Sequence, residues 1–156
     1  MTDRGAASVA ADITIDADPT KVYALITDLP TLASLAPESA GMRWRSGDEA
    51  TPGAVFKGTN RNGFRRWTTT CTVTDADPGR AFAFDVHYFG APVAHWRYDI
   101  TAEGKGCRVT EQTWDRRPPW MAKAGGLATG VTDRGTANDG HMKLTLQRLK
   151  EKAEAG

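Results

Sequence analysis

Glu111 is the residue in this sequence best placed to do chemistry. It stands in the run Val109, Glu111, Thr113, and a period of two puts those side chains on one face of a strand. The same reading turns Trp96 and Tyr98 inward, so the carboxyl is expected among aromatic rings. An unpaired carboxylate there is driven toward its neutral form, and a raised pKa suits a general acid or base. Tyr98 and Asn60 are the candidates to assist it. Two plainer readings stay open: a glutamate hydrogen-bonded within the core, or one facing solvent because a bulge shifts the register.

Asn60, Thr69 and Thr113 are the other inward polar residues. They are suited to hydrogen-bond a ligand carbonyl or hydroxyl, or to satisfy one another. Around them fall large rings: Trp44, Phe56, Trp67, Phe82, Phe84, Trp96 and Tyr98. Such rings read either as a packed core or as the wall of a cavity with a few polar points. The segment Arg116-Arg117-Pro118-Pro119-Trp120-Met121 is a candidate lid, with Trp120 and Met121 over a cavity mouth; the alternative is a loop whose Trp caps the core. Met142, on the last helix, is the ligand contact expected from that side.

Other chemistries find little support. His87 and His95 alternate with inward neighbours and should face outward, and His141 sits at the edge of a helical stripe. No HExxH motif or Cys/His pair offers metal-ligand spacing, so neither a metal nor a cofactor is expected. There is no GxSxG nucleophile elbow and no phosphate-binding GxxxxGK[ST] loop. Cys71 and Cys107 cannot staple a domain of this size and read as free thiols of a reducing compartment. Arg43, Arg45, Lys57, Arg61, Arg65 and Arg66 form a basic cluster. With a net charge of +1 and no stacking platform outside, it reads as a solvated face, with no nucleic-acid partner.

The elements that would position these residues follow from periodicity and turn chemistry. Val9, Ala11, Ile13 and Ile15 alternate with polar residues as a half-buried strand. Asp18-Pro19 is a helix start. Val22, Leu25, Ile26 and Leu29 make one apolar stripe before Pro30 breaks it, and Pro37 ends a second short helix through Leu32 and Leu35. From Ala40 the period returns to two. Turn signals at Asp48 to Gly53, Asn62-Gly63, Asp77-Pro78-Gly79, Gly90-Ala91-Pro92 and Glu103 to Gly106 divide an antiparallel meander. Leu127, Val131, Asn138, Met142, Thr145, Leu146 and Leu149 approximate a helical stripe, firm from Met142 to Glu154. Between Gly125 and Gly140 five glycines weaken it, each by about 1 kcal/mol against Ala, and Asn138-Asp139-Gly140 reads equally as a turn. A soft first half of this helix would be able to open for a ligand.

The stretch PGAVFKGTNRNGFRRWTTTCTVTDADPGRAFAFDV, followed by GAPVAHWRYDI, GCRVTEQTWDRRP and a terminal HMKLTLQRLK, resembles the SRPBCC or START-like superfamily, and within it the polyketide cyclase/dehydrase-like proteins. The resemblance covers roughly residues 8 to 152 and rests on element order and spaced aromatics. It implies a helix-grip fold that binds lipids, polyketides or other apolar molecules; some members are aromatase/cyclases. Some characterised cyclases are associated with arginine and tyrosine in the pocket, whereas Arg97 here should face outward.

The expectation is therefore one α+β helix-grip domain over residues 1–156. About seven antiparallel strands should wrap a long C-terminal helix, with two short helices after strand 1. Length (156 residues), 40% hydrophobic content and 25% charged content suit one globular domain with a core and a cavity. The polar N-terminus has no signal-peptide pattern and no apolar run reaches membrane-spanning length, so a cytoplasmic protein without stable membrane insertion is expected. Its function is then either cyclase or dehydratase chemistry on a polyketide-like substrate, or non-catalytic carriage or sensing of a lipid or hydrophobic metabolite. A third reading, an interaction module, would require an exposed apolar patch that the strand patterns do not show. Oligomeric state is open.

Overall fold

Alternation at the start of the chain produces strand β1, Val9–Ile15, which ends on the fully buried Ile15. The computed structural model describes residues 5–121 and 134–155. Asp18 caps helix α1, Pro19–Thr27, by accepting from the Thr20 backbone N–H at 2.8 Å, with Pro19 in the first turn. Asp28 repeats the device for α2, Leu29–Leu35, accepting from the Thr31 N–H at 3.2 Å. Pro30 thus belongs to the first turn of α2, where a missing N–H is harmless. Val22, Ile26, Leu29, Leu32 and Leu35 are the buried side of this pair.

Six strands follow: β2 Ser39–Ser46, β3 Val55–Asn62, β4 Arg65–Asp77, β5 Ala81–Tyr88, β6 Ala91–Glu103 and β7 Gly106–Asp115. All pairings are antiparallel, in the order β1-β7-β6-β5-β4-β3-β2. The meander thus carries β7 back to β1. Gly106 makes that closure possible, because a Cβ there would lie 2.3 Å from the Ile15 carbonyl oxygen. Bulges between Val73 and Asp75 and between Val86 and His87 bend the sheet and raise its twist.

Helix α3, Arg134–Ala155, buries Met142, Thr145, Leu146, Leu149 and Ala153, the three-and-four spacing of one helical face. Backbone partners tie it down: Arg148 Nη1 donates to the Leu35 carbonyl at 3.2 Å and Lys150 Nζ to the Thr14 carbonyl at 2.9 Å. Glu154 Oε2 accepts from the Asp16 N–H at 2.8 Å. The possible turn at Asn138-Asp139-Gly140 is helix, running unbroken through Gly135 and Gly140. The buried stripe, with an Asp139–Lys143 pair at 2.9 Å, holds residues whose propensity alone would not. Gly125, Gly126, Leu127, Gly130 and Val131, and with them the softest part of the expected gate, lie outside the described residues.

The core fills the closed end between sheet and helices. Phe56, Phe82, Val73, Ile100, Val109, Leu146 and Leu149 are buried there. Phe56 meets Phe84 in a T-shaped contact, centroids 5.2 Å apart, an arrangement that the ring quadrupoles favour. No described helix is long and apolar enough to cross a membrane.

Candidate functional site

At the other end the sheet and α3 do not close on each other. They enclose a cavity of about 260 Å³. Phe56, Trp67, Phe84, Trp96 and Tyr98 supply its rings, and Met121 and Met142 its flexible apolar surface. Asn60, Thr69, Glu111 and Thr113 supply polar points. These residues are neighbours because strand alternation turns them all to the inner face: Asn60 pairs with Trp67, Phe84 with Trp96, Trp96 with Thr113, and Tyr98 with Glu111.

Two residues expected at a ligand do not line the cavity. Trp44 packs edge-on beside Phe56, its cross-strand partner on the same face, centroids 5.6 Å apart, next to a register shift between Trp44 and Ser46. It lies half-buried on the edge strand β2, against the core and beyond the cavity lining. Trp120 is 67% exposed, whereas Met121 is buried. The two are adjacent in a helical segment, where successive side chains point about 100° apart, so Met121 turns to the cavity while Trp120 turns to solvent.

Glu111 is 3% exposed and is gripped from one side only. The Tyr98 hydroxyl donates to its Oε2 at 2.8 Å, while Oε1 is buried with no hydrogen-bond partner. Burial pushes the carboxyl up from 4.5 to about 8, against the opposing pull of the Tyr98 hydrogen bond. Tyr98 is itself held well above its ordinary range, by burial and then by the neighbouring carboxylate. At neutral pH the side chain is therefore mostly a neutral acid. With Oε2 accepting from Tyr98, the proton belongs on Oε1, the oxygen that has no protein partner.

The threonines spend their donors on the backbone and not on each other. Thr113 Oγ1 donates to the His95 carbonyl at 3.1 Å, and Thr69 Oγ1 to the Gly58 carbonyl at 3.4 Å. Cys71 also lines the cavity, its thiol pushed up to about 12 chiefly by burial. On the outer face, Arg97 lies against Asp99 at 2.9 Å and Asp75 at 3.4 Å, so it does not enter the cavity. His95 faces the same way but is only 2% exposed, contrary to the solvated position that alternation suggested. Asp85 holds its Nδ1 at 2.7 Å and the Trp114 ring covers it, centroids 5.4 Å apart. Among the described residues, no group of three or more His, Cys, Asp or Glu side chains is arranged to hold a metal ion.

The rim contains residues that periodicity did not single out. Glu38 and Ser39 join α2 to β2, and both line the cavity. Arg134 Nη1 donates to Glu38 Oε1 at 2.5 Å, and His141 Nδ1 lies 3.5 Å from the same oxygen. Arg117 grips Asp115 through two bonds, Nε to Oδ1 at 3.0 Å and Nη2 to Oδ2 at 2.8 Å. No sequence signal marks Glu38 or Ser39; the chain fold alone brings them to Arg134 and His141.

A curved antiparallel sheet of seven strands gripping a long C-terminal helix, with two short helices after the first strand, defines a helix-grip protein of the SRPBCC superfamily. The chain belongs to the family described as polyketide cyclase / dehydrase and lipid transport, whose model matches residues 6–154. The solution structure of a polyketide-cyclase-like protein from Corynebacterium glutamicum is similar over 94% of this chain and 90% of that one, with 24% identity and a TM-score of 0.63. The di-domain ARO/CYC StfQ of the steffimycin pathway is 13% identical, with a TM-score of 0.74, and the similarity covers 94% of this chain and 50% of StfQ. The di-domain ARO/CYC BexL of the BE-7585A pathway is 21% identical, with a TM-score of 0.70, over 95% of this chain and 50% of BexL. The chain thus spans half of each di-domain protein. No curated protein is significantly similar to it in sequence.

Proposed function

We propose that the protein binds a small, largely apolar molecule in this cavity and moves protons on it through Glu111, in the ring closure or dehydration of a polyketide-type substrate. The observation that carries this reading is the unpartnered Glu111 Oε1 beside the cavity, with Tyr98 fixing the other oxygen. The aromatic wall would fold a flexible chain into a reactive conformer and so supply rate through orientation. In an aldol-type closure, the enol carbon attacks a ketone carbon while the ketone oxygen takes the Glu111 proton. The resulting carboxylate then takes the enol O–H proton, which restores the acid and leaves a ketone. A carboxyl near 8 is matched to that exchange at neutral pH. The ARO/CYC designation of StfQ and BexL fits the same reading, as does a cytoplasmic, nucleic-acid-free setting.

The family description also includes lipid transport, and the threonines already satisfied by backbone carbonyls suit a container that performs no reaction. Two measurements separate the readings. Native mass spectrometry of protein purified from its own cells identifies the cargo, and Glu111→Gln is then compared with wild type. An enzyme keeps its affinity for the cargo and loses turnover, whereas a carrier keeps its affinity and has no turnover to lose.

A further inference from the structure

Three side-chain atoms among the described residues are buried without a hydrogen-bond partner: Glu111 Oε1, Glu38 Oε2 and Ser39 Oγ. All three belong to residues lining the same cavity. Leaving one such atom unpaired costs about 1–3 kcal/mol, and native structures keep few of them. Their concentration around one space points to a guest that completes them.

The three atoms mark two levels. Glu111 lies four residues along β7 from Asp115, which stands at the rim with Arg117; at ~3.3 Å per residue that is about 13 Å of depth. Ser39 opens β2 opposite Asn60 at the end of β3, and Glu38 precedes it, held by Arg134 from the first turn of α3. The guest therefore meets one orphaned group at the floor and two at the rim.

The rim groups restrict what can bind. A carboxylate oxygen only accepts, so Glu38 Oε2 requires a donor, while the Ser39 hydroxyl gives or takes. The rim arginines are already engaged by carboxylates, Arg117 by Asp115 and Arg134 by Glu38. A ligand carboxylate arriving here would meet Glu38 and Asp115 with their cations already paired, and two close like charges repel. Resting on the proposal that the cavity holds an apolar guest, we infer that Glu38 and Ser39 form a rim subsite for a neutral hydrogen-bond donor. The guest is then an elongated apolar molecule with a hydroxyl at its rim end and a carbonyl or hydroxyl at its floor end, and fatty acids and other carboxylate-ended lipids are disfavoured.

The test uses the full chain and four compounds on one scaffold: anthraquinone, 2-hydroxyanthraquinone, 2,6-dihydroxyanthraquinone and anthraquinone-2-carboxylate. Tryptophan quenching reports binding through Trp67 and Trp96. The dihydroxy compound is expected to bind about tenfold tighter than the monohydroxy one, the scale of one added hydrogen bond to a charged acceptor, and the carboxylate to bind weakest. Ser39→Ala and Glu38→Gln should each erase most of the second hydroxyl's advantage, read within each variant as the ratio of dihydroxy to monohydroxy affinity. Ser39→Ala removes a single hydroxyl, so it carries the test even where Glu38→Gln does not fold. Equal binding of all four compounds, tighter binding of the carboxylate, or variants with an unchanged preference would overturn the rim subsite while leaving the cavity reading intact. Failure of every compound to bind would sink both together.

Discussion

The Tyr98 hydroxyl donates to Oε2 of Glu111 at 2.8 Å, while Oε1 of the same carboxyl is buried without a partner. The two residues face each other across the β6–β7 pairing, so the sheet register sets their geometry and no loop is needed to hold them. One oxygen is fixed and the other is buried without a partner, and burial raises the carboxyl to about 8, near the range where a proton can be passed either way.

Stability should depend on pH through Glu111. Its carboxyl titrates ordinarily at 4.5 and in the fold at about 8. Below the lower value it is neutral in both states. As pH rises through the window, the unfolded chain gains by ionising and the native state does not. Native stability therefore falls between those two pH values, by up to about 5 kcal/mol at ~1.4 kcal/mol per pKa unit. Glu111→Gln should flatten this part of the profile and be relatively more stable at the alkaline end. Denaturation curves at several pH values decide it, and parallel profiles for the two proteins would refute a raised native pKa.

Tyr98→Phe should raise the Glu111 pKa further, because the tyrosine hydrogen bond is the influence that lowers it. The variant should also lose about 1–2 kcal/mol, having left a second carboxyl oxygen unpaired. The infrared carbonyl stretch of the protonated carboxyl, followed against pH, reads the shift directly. A midpoint unchanged or moved down would contradict the geometry.

The two glycine positions Gly106 and Gly140 should respond in opposite directions to alanine. At Gly106 the new Cβ would collide with the β1 backbone at the Ile15 carbonyl, costing about 3 kcal/mol or more in urea denaturation. At Gly140, in α3, nothing lies within 4 Å of a new Cβ, and the substitution should gain about 1 kcal/mol from helix propensity. A mild effect at Gly106 would mean that β1 and β7 do not meet there as described.

Both cysteines should resist thiol reagents in the native protein. Cys71 and Cys107 are buried, and burial holds both thiols above their ordinary pKa, with Cys71 at about 12. The thiolate is the reactive form. Two thiols should therefore be released to a chromogenic disulfide only on unfolding. Rapid native labelling at mildly alkaline pH is the contrary result.

Trp96→Ala and Trp120→Ala should separate a wall residue from a surface one. Trp96 lines the cavity, whereas Trp120 is 67% exposed. Removing Trp96 should weaken an apolar probe such as anthraquinone about tenfold, the scale of a lost ring contact. Removing Trp120 should change affinity less than about twofold, because it is mostly exposed and does not line the cavity. Equal effects would place Trp120 over the mouth after all.

Much of this architecture was legible in local pattern. Period-two runs assigned the strands because successive strand side chains must alternate between faces, and the Val109–Glu111–Thr113 register alone turned Glu111 inward. Asp18-Pro19 marked a helix start because the carboxylate satisfies an orphaned N–H two residues on, whereas the Asp28 cap, which starts a second helix at Leu29 with Pro30 in its first turn, came from the structure. The alternation and the Asp18 cap are decided by atoms close in sequence.

What the sequence by itself determined, then, is which side chains share a face: the rings, Thr69, Thr113 and the inward carboxyl. Tertiary structure alone decided that Trp44 packs against the core at the sheet edge and stays out of the cavity lining, that Trp120 faces solvent, that His95 is sealed on the outer face under Trp114, and that Glu38 and Ser39 stand at the rim beside Arg134. These outcomes depend on bulges, on how far the sheet curls, and on segments distant in the chain being carried together. Burial of a polar atom and its lack of a partner are properties of all that surrounds it in space, and a one-dimensional pattern records only its neighbours along the chain.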